Sequence, residues 1–159
     1  MNTNIKRSSI PNPSPLYNLD YNLWIDTTIT QIKERNFDLV DWDNMLEELE
    51  SLGKSDKREL RNRLTVLIEH LLKLAYWEAE REANARGWKN TIKEQRRQIK
   101  ILLNDSPSLK PYLLEKFSDC YADAKEDAAD NTGLSMDTFP SEPLFTLEEA
   151  LNPHYLPIH

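Results

Sequence analysis

The chain has 159 residues, of which 30% are charged and 39% hydrophobic, and its formal net charge is −7. That length fits one domain with a genuine core, and no run of about 18 apolar residues is present to span a membrane. The negative balance argues against a general nucleic-acid coat. Cys120 is the only cysteine, which excludes an intrachain disulfide and a cysteine-based zinc cluster. A reducing cytoplasm is the expected compartment, and the first residues show no charged-then-apolar export signal.

Residues 1–18, rich in proline, serine and asparagine, read as a flexible arm, because proline lacks the backbone donor that a helix interior needs. The remainder, 19–159, reads as a single helical domain. Asp20 is placed to cap a first helix carrying Leu23, Trp24, Thr27, Ile29 and Ile32 and ending near Asn36. Asp41 is placed to cap a second, with Met45, Leu46, Leu49 and Leu52 on its apolar side and Gly53 as its stop.

Ser55 then opens the longest helix. Leu60, Leu64, Leu67, Leu71 and Leu74 recur at three- and four-residue steps, and Ile68, Leu72 and Ala75 widen the stripe. Running to about Asn84, it would be roughly 45 Å long at 1.5 Å per residue. "NARG" is expected to end it, and Trp88, Ile92, Ile99, Leu102 and Leu103 mark a fourth helix. A fifth follows Leu113, Phe117, Cys120, Tyr121, Ala124 and Ala128, with Ser108 as cap, Pro111 in the first turn and Gly133 as stop. In the tail, Thr146 and Glu149 have the spacing of a capping box for one short helix, and Phe139, Leu144, Phe145 and Tyr155 read as anchors. The fold expected is all-α: a compact bundle of about five helices with an N-terminal arm and a C-terminal strap.

Polar residues inside apolar stripes are the candidate sites. Met45, Glu48, Leu49 and Leu52 share one face, and so do Trp88, Ile92, Arg96, Ile99 and Leu103. Glu48 and Arg96 are therefore expected to be buried, and an unpaired buried charge is costly enough that the two are expected to meet. Arg63, His70 and Trp77 lie seven residues apart, in one row at the edge of the leucine stripe. The bland reading is a histidine bonded to a neighbouring helix with an arginine covering it. The sharper one is a ribonuclease pair, as arginine followed by histidine resembles the motif of the HEPN ribonucleases, with His70 as acid or base and Arg63 holding phosphate. Leu64 stands where those enzymes usually place a polar residue.

Lys89, Lys93, Arg96, Arg97 and Lys100 oppose only Glu94 within residues 89–100, whereas residues 115–149 run acidic. These read as two solvated faces that attract each other within or between subunits. A nucleic-acid patch on Lys89, Lys93, Arg97 and Lys100 is the secondary reading. No metal site or cofactor is expected, since only Gly53, Gly87 and Gly133 are available for a phosphate loop and the three histidines are scattered.

The segments "LVDWDNMLEELESLGKSDKRELRNRLTVLIEHLLKL", "GWKNTIKEQRRQI", "DSPSLKPYL", "YADAKEDAADNTGL" and "TFPSEPLFTLEEAL" together resemble one bacterial family, catalogued as domain of unknown function number twenty-nine. The resemblance runs in order over about residues 20–157. It implies a compact α-helical domain and brings no activity, substrate or cofactor. The family's motif positions match Glu48, His70, Lys73, Trp88 and Arg96, which the resemblance marks as site candidates. "AYWEAEREANAR" departs from the family's usual proline-containing connection before the tryptophan.

The function expected is a cytoplasmic, non-enzymatic interaction module that self-associates or joins a protein partner. The long helix is apolar around more of its circumference than one neighbour covers. The alternative is a metal-independent ribonuclease or nuclease-derived toxin using Arg63 and His70.

Overall fold

The helical periodicity is realised throughout. The computed structural model describes residues 15–157; it is 82% helical and has no strand among those residues. Six α-helices occur there: α1 Pro15–Leu19, α2 Tyr21–Lys33, α3 Trp42–Tyr76, α4 Glu78–Asp105, α5 Lys110–Thr132 and α6 Leu147–Leu151. Short 3-10 turns occupy Phe37–Leu39, Pro107–Leu109 and Met136–Thr138. The chain divides into two compact units, Met1–Gly53 and Lys54–His159, so the boundary falls inside α3. Of the arm expected over residues 1–18, residues 1–14 lie outside the described residues, and Pro15–Leu19 form α1.

In the first unit Asp20 caps α2, its carboxylate accepting from the Leu23 backbone N–H at 3.0 Å. The helix ends at the expected place, with Arg35 in the left-handed region at φ 61°. There the Asn36 N–H returns to the Gln31 carbonyl at 2.8 Å, and the Arg35 N–H to that of Ile32 at 3.1 Å. This pair of bonds is the usual way a helix satisfies its last carbonyls, although glycine is the residue that adopts it without strain. Trp24 is buried; Tyr17 packs edge-on to its ring at 4.9 Å and Tyr21 stacks on it at 5.8 Å. The indole Nε1 donates to Asp41 at 3.2 Å, and Asp41 also accepts from the Asn44 side chain at 2.7 Å where α3 begins.

Two expected boundaries are corrected. Gly53 does not stop a helix and Ser55 does not open one: α3 runs unbroken from Trp42 to Tyr76. Glycine in a helix interior costs about 1 kcal/mol relative to alanine, too little to break a helix anchored on both sides. The second break lies at Trp77 rather than at "NARG", which sits inside α4. Arg81 accounts for the shift, because its guanidinium donates to the carbonyls of Leu74 at 2.8 Å and Ala75 at 2.7 Å, satisfying the end of α3. Trp77 is stacked on Trp88, with ring centroids 5.5 Å apart.

The core of the second unit starts from the leucine stripe. Leu60, Leu64, Leu67, Leu71 and Leu74 are all fully buried. Ile92 and Ile99 of α4, Cys120, Ala124 and Ala128 of α5, and Phe139, Phe145 and Leu147 from the tail pack into the same cluster. The width of the stripe is thus covered within this unit by α4, α5 and the tail. Pro111 falls in the first turn of α5 as expected, but the N-cap is Leu109, not Ser108. Gly133 closes α5 at φ 71°, a conformation that suits glycine. Thr146 and Glu149 form the expected capping box of α6, at 3.1 and 2.9 Å. Of the expected tail anchors, Phe139 and Phe145 are buried, Tyr155 is half-buried and Leu144 is 73% exposed.

Candidate functional site

Arg63, His70 and Trp77 are each half-buried, as a row at the edge of a core should be. Their polar atoms turn to different partners. Arg63 donates to Glu59 one turn back at 2.8 Å and to Gln95 of α4 at 3.3 Å. It lines an open depression of about 370 Å³ whose lining does not include His70. His70 Nδ1 lies 2.9 Å from the Val66 carbonyl of its own helix. A carbonyl can only accept, so Nδ1 carries the proton and Nε2 keeps its lone pair. Burial and the neighbouring Lys73 hold the His70 pKa below the ordinary imidazole value, against the pull of the Val66 bond and Glu69.

One turn of α3 beside His70 carries a polar cluster that sequence reasoning did not single out as a whole. Glu69 and Lys73 are 6% and 9% exposed and form an ion pair on successive turns. Asn131 of α5 donates to the same Glu69 carboxylate at 2.8 Å. Asp127, also on α5, has its pKa raised by burial and by Glu69, Asp123 and Asp130. Lys73 was marked only by the family resemblance; its partner was legible as a carboxylate four residues upstream inside an apolar run.

Glu48 and Arg96, which were expected to meet, belong to different units, and each finds hydrogen-bond partners within its own. Glu48 is half-buried and accepts from the Tyr17 hydroxyl at 2.6 Å and the Tyr21 hydroxyl at 2.7 Å. Those two bonds lower its pKa, and the shared carboxylate pushes Tyr17 up to about 12. Arg96 is 7% exposed, and donates through Nε to the Ala150 carbonyl at 2.7 Å and through Nη2 to the Tyr155 carbonyl at 2.8 Å. It ties the tail to α4. Its counterparts are neutral carbonyls, so its charge has no counterion among the described residues. Trp88, one face along, is 9% exposed and closes the end of the core against Trp77.

Above Arg96 lies a cleft of about 740 Å³ between α4, the turn at Pro107, and the tail. Ile92, Ile99, Leu103, Leu151 and Leu156 supply its apolar lining. Lys89, Lys93, Arg97, Lys100 and Lys110 are exposed at its edge, and no carboxylate lines it among the described residues. Arg97 is paired with Glu94 of its own helix at 2.8 Å, which holds the Glu94 pKa down to about 2. The four lysines form no ion pair among the described residues. Among the described residues no ion pair joins this basic face to the acidic residues of 115–149; Asp123 pairs with Arg61 of α3 at 3.5 Å.

A family model matches residues 16–156. The chain belongs to the family described as domain of unknown function DUF29. No curated protein and no solved structure is matched. The resemblance drawn from five sequence segments is thereby shown over nearly the whole described chain, and it carries the all-helical fold without an activity. Among the described residues of this DUF29 chain, no group of three or more histidine, cysteine or carboxylate residues is arranged to hold a metal ion. None of the described helices is long and apolar enough to cross a membrane.

Proposed function

We propose that this DUF29 chain is a cytoplasmic interaction module that associates with a second copy of itself through its first unit. One observation carries the reading. Trp42, Leu46, Leu49 and Leu52 are 43 to 62% exposed along the opening turns of α3, and Leu23 and Ile29 of α2 are 50% and 44% exposed. On α3 the spacing is four, three and three residues, so they form one continuous stripe and not scattered single residues. Isolated exposed leucines are ordinary, whereas a row of them on a water-facing helix marks a contact surface. Asp43, Glu47 and Glu50 flank the row and keep the separate chain soluble.

An apolar stripe of this kind on α3 can pack against the same stripe of a second copy turned through a two-fold axis, which is the commonest oligomer symmetry. Multi-angle light scattering at micromolar concentration is the test. A mass near twice 18.6 kDa is the expected result. A monomer that persists across a hundredfold rise in concentration overturns the reading.

A further inference from the structure

The cleft on α4 is a second feature with its own chemistry, independent of any self-association. Its edge is cationic along one flank of the helix, because Lys89, Lys93, Arg97 and Lys100 follow at steps of four, four and three residues. Its lining is apolar, and Leu103, Leu151 and Leu156 are all only part-buried, so apolar surface remains there to be covered. Beneath both lies Arg96. Two of its three guanidinium nitrogens are committed to tail carbonyls, and Nη1 donates to no group among the described residues. No buried side-chain polar atom is left without a partner among the described residues, so Nη1 keeps access to solvent.

A buried guanidinium without a counterion is an electrostatic deficit, and burial already depresses its pKa. An anion at this point would meet a donor held in place by its two neighbouring hydrogen bonds and still open to the cleft, with further cations around it, and a hydrogen bond between two charged groups is stronger than one between neutral ones. The volume lies inside the roughly 300–1,000 Å³ typical of small-ligand sites, where mostly apolar walls carry a few convergent polar groups. A single-stranded nucleic acid would want aromatic rings for its bases to stack on, and the described residues of the lining include none. It would also leave the apolar lining unused.

We propose that this cleft binds a small amphipathic anion, an alkyl or acyl chain ending in a phosphate, taken free from water. The head sits over Arg96 Nη1, and Lys93 and Lys100 neutralise the second charge. The chain lies along Leu103, Leu151 and Leu156. Phosphate suits the site better than carboxylate because several cations surround one uncompensated guanidinium, and a dianion uses more of them.

Isothermal titration of the full chain with dodecyl phosphate, below its micelle concentration, is the test. Saturable one-to-one binding is expected, with dodecanoate weaker, and with neither inorganic phosphate nor dodecyltrimethylammonium binding measurably. Lys93→Gln/Lys100→Gln should weaken binding at least tenfold while circular dichroism and the thermal midpoint stay unchanged, since both side chains are exposed. Leu156→Asn provides a separate apolar-wall variant with the same expected direction. Inorganic phosphate or the cationic amphiphile binding as well as dodecyl phosphate overturns the proposal. So does unchanged affinity in both variants, or tighter binding of single-stranded RNA or an acidic peptide. Binding to phosphatidic acid vesicles without binding of free dodecyl phosphate would assign the cations to a membrane surface and equally reject it.

Discussion

Arg96 and Ala150, fifty-four residues apart, are joined by a 2.7 Å hydrogen bond from a buried guanidinium to a main-chain carbonyl. With the companion bond to Tyr155, it makes the tail part of the second unit's structure. Hydrogen bonds involving a charged group are worth about 1.5–3 kcal/mol each. Two such bonds amount to about 3–6 kcal/mol, and hydration of the freed carbonyls recovers part of that, so Arg96→Met should destabilise the chain by about 2–4 kcal/mol. Hydrogen exchange should accelerate most between residues 145 and 157. Because Glu48 is satisfied by Tyr17 and Tyr21, Glu48→Gln and Arg96→Met should be additive within about 0.5 kcal/mol. A double mutant more stable than Arg96→Met alone would restore the pairing expected from helix facing.

The Glu69–Lys73 pair should behave in the opposite way. Lys73→Met leaves a buried carboxylate with Asn131 as its hydrogen-bond donor and no cation beside it unless His70 is protonated, which should cost about 3–5 kcal/mol. Adding Glu69→Gln removes the charge while keeping an acceptor for Asn131, and much of the loss should return. Urea midpoints for the two single variants and the double give the coupling, and simple additivity would show that the pair is not a stabilising unit.

Stability should fall with acidification because of His70. Its folded pKa lies below the ordinary value of 6.5, chiefly through burial, so the unfolded chain binds the proton more readily. The contribution is fully present above about pH 6.5 and is lost as pH drops from there through the folded pKa. Comparing the pH dependence of the urea midpoint in wild type and His70→Gln isolates it. Parallel curves would mean that His70 titrates alike in both states.

Charge on the exposed leucine row should block association without harming the fold. Leu46→Glu/Leu49→Glu changes side chains that are 55% and 57% exposed, so the thermal midpoint should move little while the mass falls to that of a monomer. An unaltered dimer would place the contact elsewhere.

Single-stranded RNA should survive incubation with the purified chain, with or without EDTA. Arg63 is held by Glu59 and Gln95, and His70 by Val66, about 10 Å further along the helix at 1.5 Å per residue. Cleavage that persists in EDTA and disappears in His70→Ala would replace the interaction reading with the ribonuclease one.

Elements closed by local chemistry were legible before any coordinates. Asp20, Gly133 and the Thr146–Glu149 box each act through bonds spanning a few residues, so the pattern contains its own cause. Gly53 misled because its penalty is small beside the core that begins at Leu60. The break at Trp77 was hidden because its cause, Arg81, lies beyond the helix it terminates. Helix facing placed Arg96 inward correctly but could not name its partner, since main-chain carbonyls of an irregular tail leave no trace in side-chain spacing. The cation row of the cleft was visible as residues 89–100, but its opposite wall, at Leu151 and Leu156, comes from a tail segment without helical period.

The separations of these contacts also favour one order of folding over another. In the first unit the ties reach across short stretches: Trp24 to Asp41 spans 17 residues and Tyr21 to Glu48 spans 27. In the second, Cys120 reaches back 59 residues to the Arg61 carbonyl, Asn131 reaches back 62 to Glu69, and Tyr155 is met by Arg96 across 59. Closing longer loops costs more chain entropy before any contact rewards it. The aromatic cluster around Trp24 should accordingly form early, while the leucine stripe of α3 waits, exposed to water, until α5 and the tail return to cover it. That interval, and not the finished fold, is when this chain should be most vulnerable to aggregation.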